Sequence, residues 1–318
     1  MQEKIAAIIP CYRVKAHILD VIGRIGGEVG RIYVVDDACP EHTGDHVEAH
    51  CNDIRVVVVR NTENLGVGGA VMAGYRAAIA DGADILVKID GDGQMDPALV
   101  WRFVRPIAAG QADYTKGNRF YDLTEIGQMP TMRLVGNAVL SFMAKLSTGY
   151  WNVFDITNGY TAIHAKVAKH LPMDKISRRY FFETDMLFRL NIVRAVVVDV
   201  PMDAAYGSEV SNLRIRRIVG EFLAKHARNF FKRIAYNYFL RDMTVASLEL
   251  VFGAALLGFG VVFGSVHWWR SAQLGLATPL GTIMLAALPT LVGLQMLLAF
   301  VGFDVANVPR RPIHIDLP

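Results

Sequence analysis

Three aspartates, Asp90, Asp92 and Asp96, stand within seven residues of chain, just after the apolar run A-D-I-L-V. Asp90 and Asp92 are separated by a single glycine, so a turn can direct both carboxylates at one point. Magnesium prefers oxygen ligands and usually shares them between a few carboxylates and substrate phosphates. Gln94, two residues further on, adds a neutral oxygen. The spacing therefore predicts a divalent-cation site formed by Asp90, Asp92 and Gln94.

Two other interpretations of this acidic turn follow from its residue types. A calcium-binding loop is disfavoured because Met95 stands at the sixth position, where such loops need a glycine. A solvated acidic turn without a ligand is the other alternative. Asp96 is followed by Pro97, and proline is favoured at the first helical position, so Asp96 is predicted to cap the next helix.

Short apolar runs alternate with helical patterns around this turn. The predicted strands are Ile5–Pro10, Arg31–Asp37, Ile54–Arg60 and Asp84–Asp90, and the predicted helices are Val14–Gly26, Gly44–Cys51 and Val67–Ala80. Such alternation predicts an α/β sheet that binds ligands at the carboxyl ends of its strands. Polar residues follow each of the four strands, and a nucleotide site at that edge is the leading hypothesis.

The glycine-rich stretch N-L-G-V-G-G-A-V-M-A-G does not match a dinucleotide-binding fingerprint. Gly66 and Gly68 supply the first half, but Val71 stands in the place of the third glycine. The stretch also follows the third predicted strand rather than the first. Close backbone packing at a helix start accounts for these glycines.

Composition restricts the class of protein further. The 318 residues are 53% hydrophobic, with a mean hydropathy of +0.29 and a formal net charge of only +3, which argues against a nucleic-acid partner. Cys11, Cys39 and Cys51 lack the C-x-x-C spacing, so neither a disulfide framework nor a zinc site is predicted.

Two long apolar stretches, Thr244–Trp268 and Ser271–Phe303, account for the high hydropathy. Each is long enough for a transmembrane helix, which needs about 20 apolar residues. Basic residues are concentrated before the first stretch and after the second, whereas the connection between them holds Arg270 alone. The positive-inside rule therefore predicts an integral membrane protein of the inner or plasma membrane, with its large domain and its C-terminus in the cytosol.

The segment before the first span is basic and amphipathic. Eight basic residues between positions 214 and 242 are interleaved with apolar residues at helical spacing, which favours binding to anionic membrane lipids. A helix that caps the soluble domain with a solvated basic face is the alternative. The predicted organisation is a catalytic domain at 1–213, juxtamembrane helices at 214–242, two spans at 243–304 and a cytosolic tail at 305–318.

Five motifs, I-P-C-Y, V-V-D-D-A-C-P, N-L-G-V-G-G-A, D-G-D-G-Q-M-D-P and K-G-N-R, occur in this order. The chain resembles the inverting glycosyltransferases of family 2, specifically the polyprenyl-phosphate glycosyltransferases such as dolichol-phosphate mannose synthase and the bactoprenol glucosyltransferases. The resemblance implies a GT-A fold, a UDP- or GDP-sugar donor, and an undecaprenyl or dolichyl phosphate acceptor for a single hexose-type sugar. Homo-oligomers that assemble through the spans are compatible with it.

The resemblance also implies a role for individual residues. Pro10 and Tyr12 would line the nucleotide pocket and Asp37 would hydrogen-bond the base, while Asp90, Asp92 and Gln94 would hold Mg²⁺ or Mn²⁺ on the diphosphate. The other implied site residues are Arg119 and Arg133, which would face phosphates, Arg214, which would close over the site, and Asp155, which matches an aspartate sometimes assigned as base.

A phosphate acceptor already carries anionic oxygen, so the reaction needs no strong general base. Asp155 is therefore predicted to organise the site more than to remove a proton. Glu183 and Asp185 are the alternative base candidates, on a predicted helix where acids usually face solvent.

The sequence departs from the family pattern in two places, and four other functions compete with the one that the resemblance implies. Arg13 and Val14 follow Tyr12, where Asn and Glu are common, and Thr161 stands where related chains often have Arg. A processive polysaccharide synthase is disfavoured because the chain has no Q-x-x-R-W motif, and a soluble nucleotidyltransferase because it has no G-x-G-T-R motif. A family 2 enzyme with another acceptor and an inactive scaffold subunit are the remaining alternatives.

Overall fold

The computed structural model describes residues 3–121, 131–202 and 215–318, with the side chains of 131–135, 137 and 215–219 left out. The chain divides into two compact units. The first comprises Met1–Phe230 together with Pro309–Pro318, and the second comprises Phe231–Val308. The first unit thus continues past the predicted boundary at residue 213 and includes most of the predicted tail.

The first unit contains a seven-stranded sheet in the order β3-β2-β1-β4-β6-β5-β7. Its strands are β1 (Ile5–Cys11), β2 (Val29–Asp36), β3 (Val56–Arg60), β4 (Ile85–Lys88), β5 (Tyr114–Asn118), β6 (Thr161–His164) and β7 (Val197–Pro201). Strand β6 is antiparallel to both of its neighbours, β4 and β5, whereas the other pairs are parallel. The predicted α/β sheet is confirmed, with an antiparallel strand that the local pattern did not predict.

The described residues of the first unit also contain helices. They are α1 (Ile18–Gly23), α2 (Thr43–His50), α3 (Gly66–Ala80), α4 (Val100–Ala108), α5 (Thr131–Thr148), α6 (Ala165–His170), α7 (Phe182–Ile192) and the first part of α8 (Ile215–Ala235). The predicted helix Val14–Gly26 was too long, because Arg13 adopts a left-handed conformation with φ 59° and a turn precedes Ile18. Strand residues such as Ile8, Val34 and Val87 are fully buried and form the core.

The glycines of α3 allow close packing, as predicted. A Cβ at Gly68 would lie 2.4 Å from the Ser177 carbonyl oxygen, and a Cβ at Gly74 would lie 2.5 Å from Ile8 Cγ2. Gly66 begins the helix with φ +77°, a conformation that other residues adopt only with strain. These glycines therefore bring α3 against the sheet and against the loop before α7.

The C-terminal tail packs on the first unit through Asp113. The Asp113 carboxylate accepts hydrogen bonds from the backbone N–H groups of Ile313 (3.0 Å) and His314 (2.9 Å), and His314 Nδ1 lies 2.7 Å from the same carboxylate. The His314 ring stacks on His164 with 4.3 Å between centroids. Residues 309–318 therefore belong to the first unit.

The second unit consists mainly of α9 (Val245–Leu274) and α10 (Leu280–Ala306), both long and apolar enough to cross a membrane. The first helix continues beyond its predicted end at Trp268, and Pro279 caps the second. A Cβ at Gly293 would lie 2.4 Å from Leu257 N, so the two backbones pack closely. Near the end of α10, Asp304 pairs with Arg233 at 2.5 Å and accepts a hydrogen bond from the Tyr238 hydroxyl at 2.6 Å.

Candidate active site

The acidic turn leaves the sheet at the end of β4. Gly93 takes φ +78°, which lets the chain reverse, and Asp92 Oδ1 accepts a hydrogen bond from the Gln94 backbone at 3.0 Å. Asp96 accepts one from Ala98 N at 3.2 Å and caps the short 3₁₀ helix Pro97–Leu99. The predicted capping role of Asp96 is confirmed.

A buried lysine holds the first acid of this turn. Lys88, the last residue of β4, has a side chain only 1% exposed, and its Nζ lies 2.6 Å from Asp90 Oδ1 and 2.9 Å from the Gly159 carbonyl oxygen. Sequence reasoning missed Lys88, although a lysine inside the apolar run D-I-L-V-K-I-D was a usable signal. The pair fixes one oxygen of Asp90 and leaves its Oδ2 toward Gly159.

The donor set fits a hard divalent cation completed by substrate. A Cβ at Gly159 would lie 2.6 Å from both Asp90 Oδ2 and Lys88 Nζ, so the glycine keeps a space beside the carboxylate open. In the described part of the chain no group of three or more His, Cys, Asp or Glu residues could hold a metal. Asp90, Asp92 and Gln94 supply two carboxylates and one amide oxygen. Mg²⁺ sites in proteins often have so few protein ligands, because phosphates and water provide the remaining oxygens.

Arg119 and Asp155 form a second charged pair at the end of β5. Arg119 Nε donates to Asp155 Oδ2 at 2.7 Å and Nη2 donates to Oδ1 at 3.0 Å, a bidentate geometry. The Asp155 side chain is 1% exposed, whereas that of Arg119 is 32% exposed. Burial opposes the charge on Asp155, but the hydrogen bonds and positive charge of Arg119 outweigh it and lower the pKa of this carboxyl. Asp155 is thus an ionised carboxylate whose two oxygens orient the guanidinium of Arg119.

A second buried lysine, Lys116, lies on β5, which is separated from β4 by β6. Lys116 donates from Nζ to the Asn158 carbonyl oxygen, and burial lowers its pKa to about 8, against the opposing influence of Glu183 and Asp155. Thr161 pairs in register with Lys88 on one side and with Lys116 on the other. Residues in register share a sheet face. An arginine at position 161 would therefore add a third cation between two lysines, which is a physical reason for threonine at this position, where related chains often have arginine.

The two alternative base candidates lie on α7, as predicted, but neither is a solvent-facing acid. Glu183 is partly buried, and burial raises its pKa while Lys88 and Lys116 oppose the shift. Asp185 is buried and accepts hydrogen bonds from Ser177 N at 2.8 Å and Asn229 Nδ2 at 3.1 Å. Asp185 therefore joins α7 to neighbouring segments, and Glu183 belongs to the charged cluster around the lysines.

Of the nucleotide-pocket candidates, Pro10 lies within β1, and Tyr12 and Asp37 directly follow β1 and β2. The ends of these two strands are adjacent because Cys11 pairs with Asp36. Tyr12 is exposed and Asp37 is buried. The Asp37 carboxylate accepts hydrogen bonds from Asn61 Nδ2 at 2.8 Å, Leu65 N at 2.9 Å and Gly66 N at 2.7 Å. Asp37 thereby holds the loop that precedes α3, a role that its position after β2 did not reveal.

The remaining two predicted arginines are not described at the level of side chains. Arg133 belongs to α5, whose backbone is described, but its side chain lies outside the described residues. Arg214 also lies outside them. Asp90, Asp92 and Gln94 thus lie on one turn after β4, and Arg119, which follows β5, pairs with Asp155, which precedes β6. The structure adds two residues that the sequence analysis did not name, Lys88 and Lys116.

The seven-stranded mixed sheet, with polar and charged residues after β1, β2, β4 and β5, has a GT-A-like arrangement. Among solved structures, glucosyl-3-phosphoglycerate synthase from Mycobacterium tuberculosis, crystallised with Mn²⁺, UDP and phosphoglyceric acid, matches with a TM-score of 0.53 and 20% identity. This match covers 73% of the present chain and 78% of that one. It supports the predicted fold.

The chain belongs to glycosyl transferase family 2, whose family model matches residues 6–171. An undecaprenyl-phosphate mannosyltransferase of Micrococcus luteus is 32% identical over 203 residues, which cover 63% of this chain and 82% of the relative. A dolichol-phosphate mannosyltransferase of Pyrococcus furiosus is 20% identical over 286 residues, which cover 88% and 76%. A UDP-N-acetylglucosamine–dolichyl-phosphate N-acetylglucosaminyltransferase of Methanococcus voltae is 28% identical over 213 residues, which cover 63% and 84%. The predicted family is confirmed.

Proposed function

We propose that this enzyme transfers a single hexose-type sugar from a UDP- or GDP-sugar to undecaprenyl or dolichyl phosphate, with inversion at the anomeric carbon. The acceptor class is supported by the relatives, which are named for polyprenyl-phosphate acceptors. The donor class is supported by fold neighbours crystallised with UDP and Mn²⁺ or Mg²⁺. The observation that carries the proposal is Arg119, a partly exposed guanidinium held by the buried carboxylate of Asp155.

The donor would bind across the ends of β1, β2 and β4. Asp90, Asp92 and Gln94 would hold Mg²⁺ or Mn²⁺, and a cation held there would supply Lewis-acid stabilisation of the leaving diphosphate. Lys88 sets the orientation of Asp90 for this task. Pro10 and Tyr12 would line the base pocket, and Asp37 would keep the loop before α3 in place beside it while offering its remaining lone pairs to the base.

The acceptor phosphate would bind at Arg119. One of its anionic oxygens attacks the anomeric carbon, the bond from that carbon to the donor's β-phosphate oxygen breaks, and the electron pair leaves with the nucleotide diphosphate. A fixed guanidinium suits this step because it binds phosphate without reorganisation. Asp155 would act as a positioning residue, since its lowered pKa makes it a poor proton acceptor. Arg133 and Arg214 are proposed as further phosphate ligands.

The second unit supports a membrane setting for the reaction. Its helices α9 and α10 would span the inner or plasma membrane, and the basic segment 214–242 would contact anionic lipids. Both chain ends of this unit lead into the catalytic unit, because Pro309–Pro318 packs there. That connection supports a two-span hairpin with the catalytic unit and the tail both on the cytosolic side.

A donor panel tests this proposal. Full-length protein in nanodiscs would be incubated with Mn²⁺, undecaprenyl or dolichyl phosphate, and UDP-Glc, UDP-GlcNAc, UDP-Gal or GDP-Man, and the lipid product separated by thin-layer chromatography. One donor is expected to label the lipid. Transfer to a different lipid or a polysaccharide would indicate another acceptor, and no transfer from any donor would favour the scaffold alternative.

A further inference from the structure

Asp199 lies on β7, next to the strand that leads into Arg119. Its register partner on β5 is Lys116, and Asn118 stands two residues further along β5. Residues in register share a face of the sheet, as do side chains two residues apart on one strand, so Asp199 and Asn118 lie on the same side. Asn118 Nδ2 donates a hydrogen bond to Asp199 Oδ2 at 2.8 Å. Strand β7 thereby holds the end of β5 from which Arg119 follows.

The same carboxylate oxygen also binds the loop that carries Asp155. The backbone N–H of Phe154 donates to Asp199 Oδ2 at 3.1 Å. Phe154 directly precedes Asp155, just as Asn118 directly precedes Arg119. One oxygen of Asp199 therefore holds two loops, in each case at the residue next to a member of the Arg119–Asp155 pair.

Two further hydrogen bonds reinforce these loops. Asn118 Oδ1 accepts from the Phe120 backbone N–H at 2.9 Å, which closes a turn around Arg119. In the other loop, Asn152 Nδ2 donates to the Val197 carbonyl oxygen of β7 at 3.3 Å. Both loops are thus held by β5 and β7 at more than one point.

The second oxygen of Asp199 is held in a different way. Oδ1 is buried and, within the described residues, has no hydrogen-bond partner. Burial raises the pKa of Asp199, whereas the hydrogen bonds from Phe154 and Asn118 and the charge of Lys116 oppose the shift. A buried polar atom without a partner costs free energy and calls for an explanation. The carboxylate is poorly suited to stabilise the fold alone, and what it provides is the placement of the two loops.

We propose that Asp199 is a positioning residue that sets the separation between the loops of Arg119 and Asp155. The bidentate pair needs two guanidinium nitrogens opposite two carboxylate oxygens, at 2.7 and 3.0 Å, so a displacement of either loop would open one of these bonds. Arg119 would then lose its fixed orientation, and a misplacement of about 1 Å can cost about 100-fold in rate. The use of this orientation for the acceptor phosphate rests on the proposed function, whereas the effect of Asp199 on the pair does not.

The chain offers matched variants for this test. Asp199→Asn keeps one oxygen that can accept from Asn118 and Phe154, whereas Asp199→Leu has a similar volume and no acceptor. Asp113→Asn is the control, because Asp113 is a buried carboxylate that precedes β5, at the end of that strand away from Arg119. Asn118→Ala removes one of the two bonds from the other side and tests the proposal even where Asp199→Leu does not fold.

The pair itself can be observed without turnover. In full-length protein labelled with ¹⁵N-arginine in nanodiscs, the Arg119 Nε–H signal would be assigned with Arg119→Lys, and its exchange with water measured. We expect exchange to be at least about tenfold faster in Asp199→Leu and about threefold faster in Asn118→Ala, with Asp199→Asn and Asp113→Asn within about twofold of wild type. Unchanged exchange in Asp199→Leu or Asn118→Ala, or equal acceleration in Asp199→Asn or Asp113→Asn, would contradict the proposal.

Kinetics connect the pair to the acceptor. Asp199→Leu should raise the apparent KM for polyprenyl phosphate about tenfold and leave that for the nucleotide sugar within about twofold, because the proposed donor residues lie at the ends of other strands. Asp199→Asn should keep both wild-type values, and Asp113→Asn should lower the melting temperature without changing either KM. An equal rise in both KM values would indicate a general structural defect and contradict the positioning role. If wild-type protein glycosylates no polyprenyl phosphate, the proposed function fails, while the exchange rates still decide whether Asp199 positions the pair.

Discussion

Lys88 Nζ lies 2.6 Å from Asp90 Oδ1, so the last residue of β4 holds the first acid of the turn that follows it. The lysine is buried, and its second partner is the carbonyl oxygen of Gly159. The ion pair with Lys88 engages Oδ1 of Asp90 and so fixes the orientation of the carboxylate, whereas Oδ2 faces the space beside Gly159. Asp90 is therefore already positioned before a ligand binds.

Replacing Lys88 should impair both folding and donor binding. Lys88→Met leaves Asp90 without its buried partner, and we expect the free energy of unfolding to fall by about 2 kcal/mol, less than for a fully buried pair because Asp90 is partly exposed. The apparent KM for the nucleotide sugar should rise about tenfold or more. Thermal unfolding in detergent and donor titrations measure the two effects. Lys169→Met, at an exposed position on α6, should leave both unchanged, and a similar loss there would contradict the assignment.

The two roles within the acidic turn can be separated by mutation. Asp92→Ala should abolish Mg²⁺- or Mn²⁺-dependent turnover while membrane insertion and folding persist, because the side chain is a proposed metal ligand. Asp96→Ala removes the cap of Pro97–Leu99 and should cost about 1 kcal/mol of stability with turnover retained. Metal titrations of activity and thermal melts would be recorded for both. Full activity of Asp92→Ala would sink the proposed site.

Asp155 should act through Arg119 rather than as a base. Asp155→Asn keeps the shape but weakens the charge-assisted pair, so the apparent KM for the acceptor is expected to rise about tenfold. The acidic limb of the pH–rate profile should not move, since the lowered pKa of this carboxyl keeps it ionised over the working range. Disappearance of that limb in the variant would instead identify Asp155 as the proton acceptor.

Lys116 should make stability depend on pH in the alkaline range. Its pKa is about 8 in the folded protein, below the ordinary value of 10.5, so between these values the unfolded chain binds more protons. The free energy of unfolding should therefore rise with pH from about 8 toward 10.5, by roughly 3 kcal/mol in total. Thermal melts of wild type and Lys116→Met across this window test the sign. The variant should lack the rise, and an identical slope in both proteins would refute the assignment.

The C-terminal tail should stabilise the catalytic unit. Removal of residues 309–318 deprives the buried Asp113 carboxylate of the Ile313 and His314 donors, at a cost of about 1–3 kcal/mol. The melting temperature should drop by several degrees. Arg311→Ala, which affects an exposed pair with Asp316, is the control and should have little effect. An unchanged melting temperature after truncation would show that the tail contributes no stability.

Local signals in the sequence were sufficient for the first four strands, the acidic turn and the two long apolar helices. The four apolar runs became β1 to β4 because buried parallel strands carry a continuous apolar pattern. The cap at Asp96 was predictable because it depends on two adjacent residue types.

Features that depend on distant parts of the chain could not be read from local pattern. Strand β6 enters between β4 and β5 from more than 40 residues further along, and this pairing places Thr161 between Lys88 and Lys116. Likewise, the contact between Asp113 and His314 joins residues 201 positions apart. The inward orientation of Asp185 depends on Asn229, again a contact that no local spacing specifies.

The lipid product itself tests the central claim most directly. Wild-type protein in nanodiscs would be incubated with its preferred nucleotide sugar, Mn²⁺ and undecaprenyl phosphate, and the product examined by mass spectrometry and by NMR of the anomeric proton. We predict one added sugar on the phosphate, with an anomeric configuration opposite to that of the donor, and no such product from Asp92→Ala. A product with several sugars, a retained configuration, or no glycosylated lipid phosphate would contradict the proposed reaction.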